Sequence, residues 1–291
     1  MLENYKFRKV RKDGFLKKTL SFILVFAFVL SSFAMVASAT SPKASVSVFI
    51  ENQQFYGGVA VKDYTTFVGI RKFATAMYPS ASVKYNYSTR TLTVQTGNLY
   101  LTAKDGQNYI VANGRYLYTE SPVFMKYGVM YAPVLLLAKA FDAKISWRDY
   151  NSSFNITRGS GGITSGDKFY REDEVYWLSR IIYAESGGEP LKGKIAVGNV
   201  ILNRVRSKYF PNTIYGVIFD KKNGTQFSPT ANGTIYKTPN AESIIAAKIC
   251  LEGYSINSSI LYFVNPTLVP NCWVCNNRTF FAKIGNHAFY I

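Results

Sequence analysis

Short apolar runs alternating with polar residues fill much of the first half of the chain, and apolar residues spaced three and four apart dominate several stretches of the second. Alternation predicts strands; the wider spacing predicts helices. Ala44-Ser-Val-Ser-Val-Phe-Ile50 is the first such strand. An internal echo follows it. Phe67-Val-Gly-Ile-Arg-Lys-Phe-Ala-Thr-Ala-Met77 aligns with Tyr131-Ala-Pro-Val-Leu-Leu-Leu-Ala-Lys-Ala-Phe141 at an offset of 64. Val83-Lys-Tyr85 aligns with Ile145-Ser-Trp147, and Leu92-Thr-Val94 with Phe154-Asn-Ile156, at an offset of 62. Each copy predicts a strand end, a short amphipathic helix and a hairpin turning at Ser88-Thr-Arg90 or Tyr150-Asn-Ser152. Two copies make a duplicated unit, not a solenoid.

In the second half, Val175, Leu178, Ile182 and Glu185 share one helical face, so a carboxylate stands where the pattern requires a core residue. Asp173 opens this helix, with Glu172, Asp173 and Glu174 at its positive end. Ser186-Gly-Gly-Glu-Pro190 stops it, because Gly accepts a left-handed cap and Pro disfavours helix in the residue before it. Glu185 is then the last or nearly the last helical residue. It faces the negative end of the helix dipole and, if buried, loses hydration; both effects raise its pKa. A Glu kept protonated near neutral pH suits a general acid. A second helix is expected from about Lys192 to Lys208, with Ile195, Val197, Val200, Ile201, Leu202 and Val205 apolar. A third is expected over Ala241 to Leu251, capped by Asn240. The remainder reads as loops and a small hairpin or two.

The N-terminus stands apart from this pattern. Seven Lys and Arg precede an apolar run from Leu20 through Val36, and Ala37-Ser38-Ala39 has the small-x-small form of a signal-peptidase site. Residues 1–39 therefore read as a secretory signal; a retained anchor is the alternative, since the run approaches the ~18 residues that could span a bilayer. Their removal lowers the net charge from +17 to +12. For an exported chain this favours a polyanionic surface, such as a wall carrying acidic polymers, over nucleic acid; solubility alone is the bland alternative. The three cysteines, Cys250, Cys272 and Cys275, cannot form a closed disulfide framework, and Cys272-Trp-Val-Cys275 lacks a second pair to complete a zinc site. One disulfide or three free thiols both remain open. His287 is the only histidine, which argues against a zinc amidase or peptidase needing two or three imidazoles. No metal or other cofactor is expected.

Gly159-Ser-Gly-Gly-Ile-Thr-Ser-Gly166 is a flexible linker by composition. The expected organisation is a signal peptide over 1–39, a first domain over 40–158, a Gly/Ser linker over 159–166 and a second domain over 167–291. The fold class is α+β, a duplicated strand-helix-hairpin domain followed by a mainly helical one.

The duplicated unit resembles the copper amine oxidase N-terminal-like domain of exported Gram-positive proteins. The likeness lies in an aromatic-Val or aromatic-Ala start, the helix behind it, a Val-x-aromatic step and a closing strand. Residues 40–158 hold no His and no Cys, which removes the ligands copper prefers. The region reads as a wall-facing or spacer module with its many Tyr and Phe mostly in its core; sugar stacking by exposed Tyr is the alternative.

The second domain resembles the cell wall hydrolase family of spore cortex-lytic enzymes, the SleB and CwlJ type. The likeness rests on separated blocks: Arg180-Ile-Ile-Tyr-Ala-Glu-Ser-Gly-Gly-Glu-Pro190, Gly193-Lys-Ile-Ala-Val-Gly-Asn-Val-Ile-Leu-Asn-Arg-Val205, Phe210-Pro-Asn-Thr213, Gly216-Val-Ile218, Gln226-Phe227, Asn265-Pro266 and Ile284-Gly-Asn-His287 with Phe289. The resemblance implies a lysozyme-like fold that cleaves peptidoglycan glycan strands between N-acetylmuramic acid and N-acetylglucosamine, with Glu185 as the catalytic acid. Many members are lytic transglycosylases, in which the muramyl 6-hydroxyl replaces water. A two-carboxylate glycosidase would need a second acid, for which Glu189 and Asp220 are the candidates. Glu189 either lines the cleft or bonds the turn's amides.

Candidate substrate contacts are Tyr183, Glu189, Asn203, Gln226, Phe227, Asn265, Trp273 and His287. Asn203 could equally serve a structural hydrogen bond, and His287 a structural imidazole. The Cys-x-x-Cys frame around Trp273 departs from the family pattern. The expected partners are peptidoglycan and an anionic wall surface, with no nucleic acid. The chain is expected to be a secreted monomer in the extracellular space, wall or spore envelope. A non-catalytic wall-binding protein and an N-acetylmuramoyl-L-alanine amidase are the competing readings.

Overall fold

The computed structural model describes residues 46–222 and 224–291, so the expected signal segment lies outside the described residues. The first half contains β1 (Ser47–Ile50), β2 (Gln53–Gln54), β3 (Val59–Lys62), β4 (Thr65–Gly69), α1 (Ile70–Met77), β5 (Ser82–Asn86), β6 (Thr91–Gln95) and β7 (Tyr100–Lys104). It continues through β8 (Tyr109–Ala112), β9 (Arg115–Tyr118), β10 (Phe124–Lys126), β11 (Val129–Pro133), α2 (Val134–Ala140), β12 (Lys144–Arg148) and β13 (Ser153–Thr157). Three sheets result: β12-β13-β1-β2, β10-β11-β4-β3, and the β5-to-β9 meander.

The two aligned stretches share one element order, strand-helix-hairpin, as β4-α1-β5-β6 and β11-α2-β12-β13. Their partners differ. Hairpin β5–β6 extends into the meander through β7, whereas β13 takes β1 as a parallel neighbour. Both helices are short, and tertiary burial holds them where propensity alone would not. Ile70, Phe73, Ala74 and Met77 turn one face of α1 into the core, and Val134, Leu137 and Ala138 do so for α2. The aromatic residues expected mostly in the core are only partly so: Tyr78 and Tyr85 pack against it, but other tyrosines stand at the surface. Phe55, Phe67, Phe73 and Phe141 are buried, while Tyr56, Tyr64, Tyr87, Tyr127 and Tyr150 are each more than 80% exposed. The phenolic oxygen explains the division, since a buried hydroxyl needs a partner.

The glycine-rich segment 159–166 is tied down, not loose. Tyr78 donates to the Gly159 carbonyl, Asn98 to Ser160, and Ile163 is buried. A Cβ on Gly159 would lie 1.7 Å from the Asp142 carbonyl oxygen, so glycine here permits backbone to approach backbone.

The second half is built from α3 (Gly166–Phe169), α4 (Glu172–Ser186), α5 (Leu191–Arg206), α6 (Ile214–Ile218), α7 (Ser228–Asn232) and α8 (Ala241–Leu251). β14 (Tyr262–Val264), α9 (Trp273–Asn277), β15 (Phe280–Ile284) and β16 (His287–Tyr290) complete it, with the strands in the order β14-β16-β15. Leu178, Ile181 and Ile182 of α4 meet Ile195, Val197, Val200 and Ile201 of α5 and Ala246, Ala247 and Ile249 of α8 in one core. Asn240 caps α8 by accepting the Ser243 N–H.

The halves meet across an ion cluster. The buried Glu252 carboxylate accepts from Arg115 Nε at 2.7 Å and Nη2 at 2.8 Å, from Lys139 Nζ at 3.0 Å and from the Tyr170 hydroxyl at 2.8 Å. Burial would raise its pKa, but these donors outweigh it and hold the carboxyl below its ordinary range. Arg115 also lies over the Phe169 ring at 3.4 Å. Tyr109, Tyr116 and Tyr118 from β8 and β9 pack against the helical core.

Candidate active site

A cleft of about 1320 Å³ opens where the end of α4 faces β14 and β16. One wall is helical, with Tyr183 and Glu185 on α4 and Glu189 in the turn to α5. Phe263, Asn265 and His287 form the wall opposite, and Gln226 and Phe227 stand before α7. Glu185 is the penultimate residue of α4. Leu178 and Ile182 on the same face are fully buried, and the stripe runs out into the cleft at the carboxylate. Burial alone raises the Glu185 carboxyl from 4.5 to about 7, and no described charge or hydrogen bond offsets it.

The helix ends differently from the expected left-handed cap. Gly187 is right-handed helical, at φ −55° and ψ −30°. Its role is space: a Cβ there would lie 2.7 Å from the Tyr183 carbonyl oxygen and 3.0 Å from the Tyr183 ring. The turn is anchored from below by Lys194, which is 2% exposed. Its ammonium donates to the Glu189 carbonyl and to Glu242 at the start of α8.

Glu189 has the opposite environment from Glu185. It is 8% exposed, and its two oxygens accept the Asn286 backbone N–H and side-chain amide, each at 2.9 Å. Burial pushes its pKa up, but the Asn286 bonds, with His287 and Lys194 nearby, prevail and hold it below the ordinary value. Asn286 belongs to the two-residue Gly285-Asn286 loop joining β15 to β16. Gly285 has φ +61°, and a Cβ there would meet Glu189 Oε2 at 1.8 Å. The carboxylate thus clamps the strand loop to the helix turn. His287 Nδ1 lies 3.9 Å from Glu189 and has no hydrogen-bond partner. Burial lowers its pKa, with Glu189 opposing. The ring packs edge-on against Phe263 at 5.4 Å.

Seven of the nine candidate residues line the cleft: Glu185, Glu189, Tyr183, Gln226, Phe227, Asn265 and His287. Asn203 and Trp273 do not. The Asn203 amide donates to the carbonyls of Asn257 and Ile260, each at 2.9 Å, and its oxygen accepts from Arg206. Trp273 is 58% exposed, with the Arg278 guanidinium 4.7 Å from its ring. Sequence reasoning missed Arg204. It lines the cleft, is 6% exposed, and lies among the rings of Phe210, Phe227 and Tyr262. Nε donates to the Leu261 carbonyl, Nη1 has no partner, and burial lowers its pKa to about 10. Its signal was the same as for Glu185, a charge on the apolar helical stripe that includes Val197 and Ile201. No group of three or more potential metal ligands occurs among the described residues.

Residues 188–290 match the cell wall hydrolase family, and residues 48–156 match the copper amine oxidase N-terminal domain. A spore cortex-lytic enzyme of Bacillus cereus is 38% identical over 120 residues, covering 41% of this chain and 45% of that protein. The cell wall hydrolase CwlJ of Oceanobacillus iheyensis is 29% identical over 111 residues, covering 36% of this chain and 77% of that protein. The solved catalytic domain of the germination-specific lytic transglycosylase SleB from Bacillus anthracis is 36% identical, with a TM-score of 0.38, covering 44% of this chain and 100% of its own. The chain spans about half the length of the spore cortex-lytic enzymes from Bacillus cereus and Oceanobacillus iheyensis that it matches.

Proposed function

We propose, from the premise that residues 188–290 belong to the cell wall hydrolase family, that this chain is a peptidoglycan-cleaving enzyme acting between N-acetylmuramic acid and N-acetylglucosamine through Glu185 alone. The observation that carries the reading is the contrast between two nearby carboxyls. Glu185 is half-buried in the cleft with its pKa raised to about 7, while Glu189 has both oxygens occupied by Asn286 and its pKa lowered. A retaining or inverting glycosidase needs a second free carboxylate at about 5 Å or roughly 6.5–9.5 Å. Glu189 is committed elsewhere, which favours lytic transglycosylase chemistry.

Protonated Glu185 gives its proton to the glycosidic oxygen as the bond to the muramyl anomeric carbon breaks. The resulting carboxylate then takes the proton of the muramyl 6-hydroxyl, whose oxygen attacks that carbon and leaves a 1,6-anhydro end. Gln226, Asn265 and the faces of Tyr183 and Phe227 offer the amides and rings that bind sugars. Arg204 lends the cleft a positive charge beside them.

The helical core belongs in this reading to a lysozyme-like fold, and the first half to a duplicated module. That module serves as the wall-facing part, with its exposed tyrosines and the chain's positive charge toward an anionic surface. Residues 1–39 act as the export signal that places the protein at the wall or spore envelope. The test is digestion of purified peptidoglycan with the whole chain, followed by mass analysis of the products. Anhydro-muramyl ends support the reading; water-added reducing ends point to hydrolysis, and stem peptides freed of sugar would refute glycan cleavage. Glu185→Gln keeps the shape and removes the proton, so wild-type digestion by that variant would also refute it.

A further inference from the structure

The Cys272-Trp-Val-Cys275 turn lies outside the cleft lining, and its chemistry is of a different kind. Cys272 caps the start of α9 and Cys275 follows one turn later, so both sulfurs fall on the same side. The sulfurs are 2.8 Å apart, and Cys272 Sγ also accepts the Cys275 N–H at 3.3 Å. Both thiols are free and partly exposed, whereas Cys250 is buried. The frame around them is well held. Arg278 spans the rings of Trp273 and Tyr262 at 4.7 and 4.8 Å, and Asn277 donates to the Trp273 carbonyl at 2.9 Å. The Cys272 thiol bonds to Cys275 and lowers the latter's pKa, which favours Cys275 as the nucleophile.

We infer that Cys272 and Cys275 form a dithiol site that closes to an intramolecular disulfide by exchange with a low-molecular-weight disulfide. The Cys275 thiolate attacks one sulfur of that disulfide, forming a mixed disulfide and releasing one small thiolate. Cys272 then loses its proton to water, and its sulfur attacks the Cys275 sulfur, releasing the second small thiolate. Two protein thiols are oxidised and one small disulfide is reduced to two thiols. Closure staples the four-residue turn 272–275, which follows in the chain the cleft-wall residues Asn265, Leu268 and Val269.

The test uses the whole folded chain in glutathione buffers of graded ratio, quenched by excess maleimide at neutral pH without denaturant, and weighed. The reduced protein is expected to take two labels under native conditions, at Cys272 and Cys275, because the Cys250 thiol is buried and its pKa is pushed far up. Both labels should disappear together as the buffer becomes oxidising, with the mass lower by two hydrogens and the bond mapped to one peptide. Cys272→Ser should trap glutathione on Cys275. Two labels persisting at the oxidising extreme, glutathione retained on the parent protein, or a bond between chains would each overturn the inference. The readout is thiol mass, so it stands apart from glycan cleavage, and Glu185→Gln protein should give the same curve.

Discussion

Replacing Glu185 with Gln is expected to stabilise the fold while removing its chemistry. The carboxyl has an ordinary value of 4.5 in the unfolded chain and about 7 in the folded one. Between those values the folded protein keeps a proton that the unfolded chain releases. The proton's contribution is therefore complete below about pH 4.5, declines as pH rises toward 7, and is gone above it. At ~1.4 kcal/mol per pH unit the ceiling is ~3 kcal/mol. Because Glu185 borders an open cleft, solvent screening reduces the expected figure to ~1–2 kcal/mol. Gln never ionises. Urea unfolding of the parent and variant at pH 4 and pH 8 should give equal stabilities at the lower pH and a variant more stable by that amount at the higher. An equal gain at both pH values, or no gain at pH 8, would refute the claim that the folded site suppresses ionisation. On the proposed function the same proton sets the rate, so kcat of the variant should fall ~10²–10⁴-fold, and parent activity should drop about tenfold per pH unit above 7.

Glu189→Gln should cost ~1–3 kcal/mol, because the two Asn286 donors approach different carboxylate oxygens and one of them would then face an amide NH2. Since the folded pKa of Glu189 is depressed, its contribution is present above pH 4.5 and lost as pH falls through the folded value; thermal melts of parent and variant should therefore converge in acid. At the ion cluster, Arg115→Met should destabilise by ~3–5 kcal/mol by leaving Glu252 buried without its fork, whereas Lys139→Met, at a side chain 46% exposed, should cost under ~1 kcal/mol in denaturant titrations. Gly198→Ala should destabilise by ~1–3 kcal/mol, since its Cβ would lie 2.7 Å from Cys250 Sγ and 2.9 Å from Ile182 Cδ1; Gly198→Ala with Cys250→Ala should recover part of the loss.

Local patterns were legible where one period or one side chain decides the outcome. The α8 boundaries and its Asn240 cap follow from the apolar spacing and the capping residue. Glu185 stood out because its stripe had no reason to carry a charge. Lys194 and Arg204 break the same rule on α5, yet long cationic side chains usually reach solvent from such positions, so the signal is weaker. What escaped the sequence depends on tertiary approach. Gly187 could not be told from a left-handed cap until Tyr183 was seen against it. Composition marks 159–166 as loose, but the Asp142 and Asn98 carbonyls need glycine there to come close. Asn203 carries no mark in the sequence separating a sugar contact from a bond to Asn257 and Ile260.

Eight freely jointed residues would let the catalytic half roam over a radius of about 15 Å. With residues 159–166 tied down and Glu252 locked to Arg115, that wandering is removed. On the proposed function, reach is then set by where the first half rests: the cleft would meet a glycan strand at one height and one tilt, as the jaw of a fixed gauge does. Separating the halves at the glycines would not free two tools; it would bare Tyr116 and Tyr118 to water and leave the Glu252 carboxylate with the Tyr170 hydroxyl in place of its two cations.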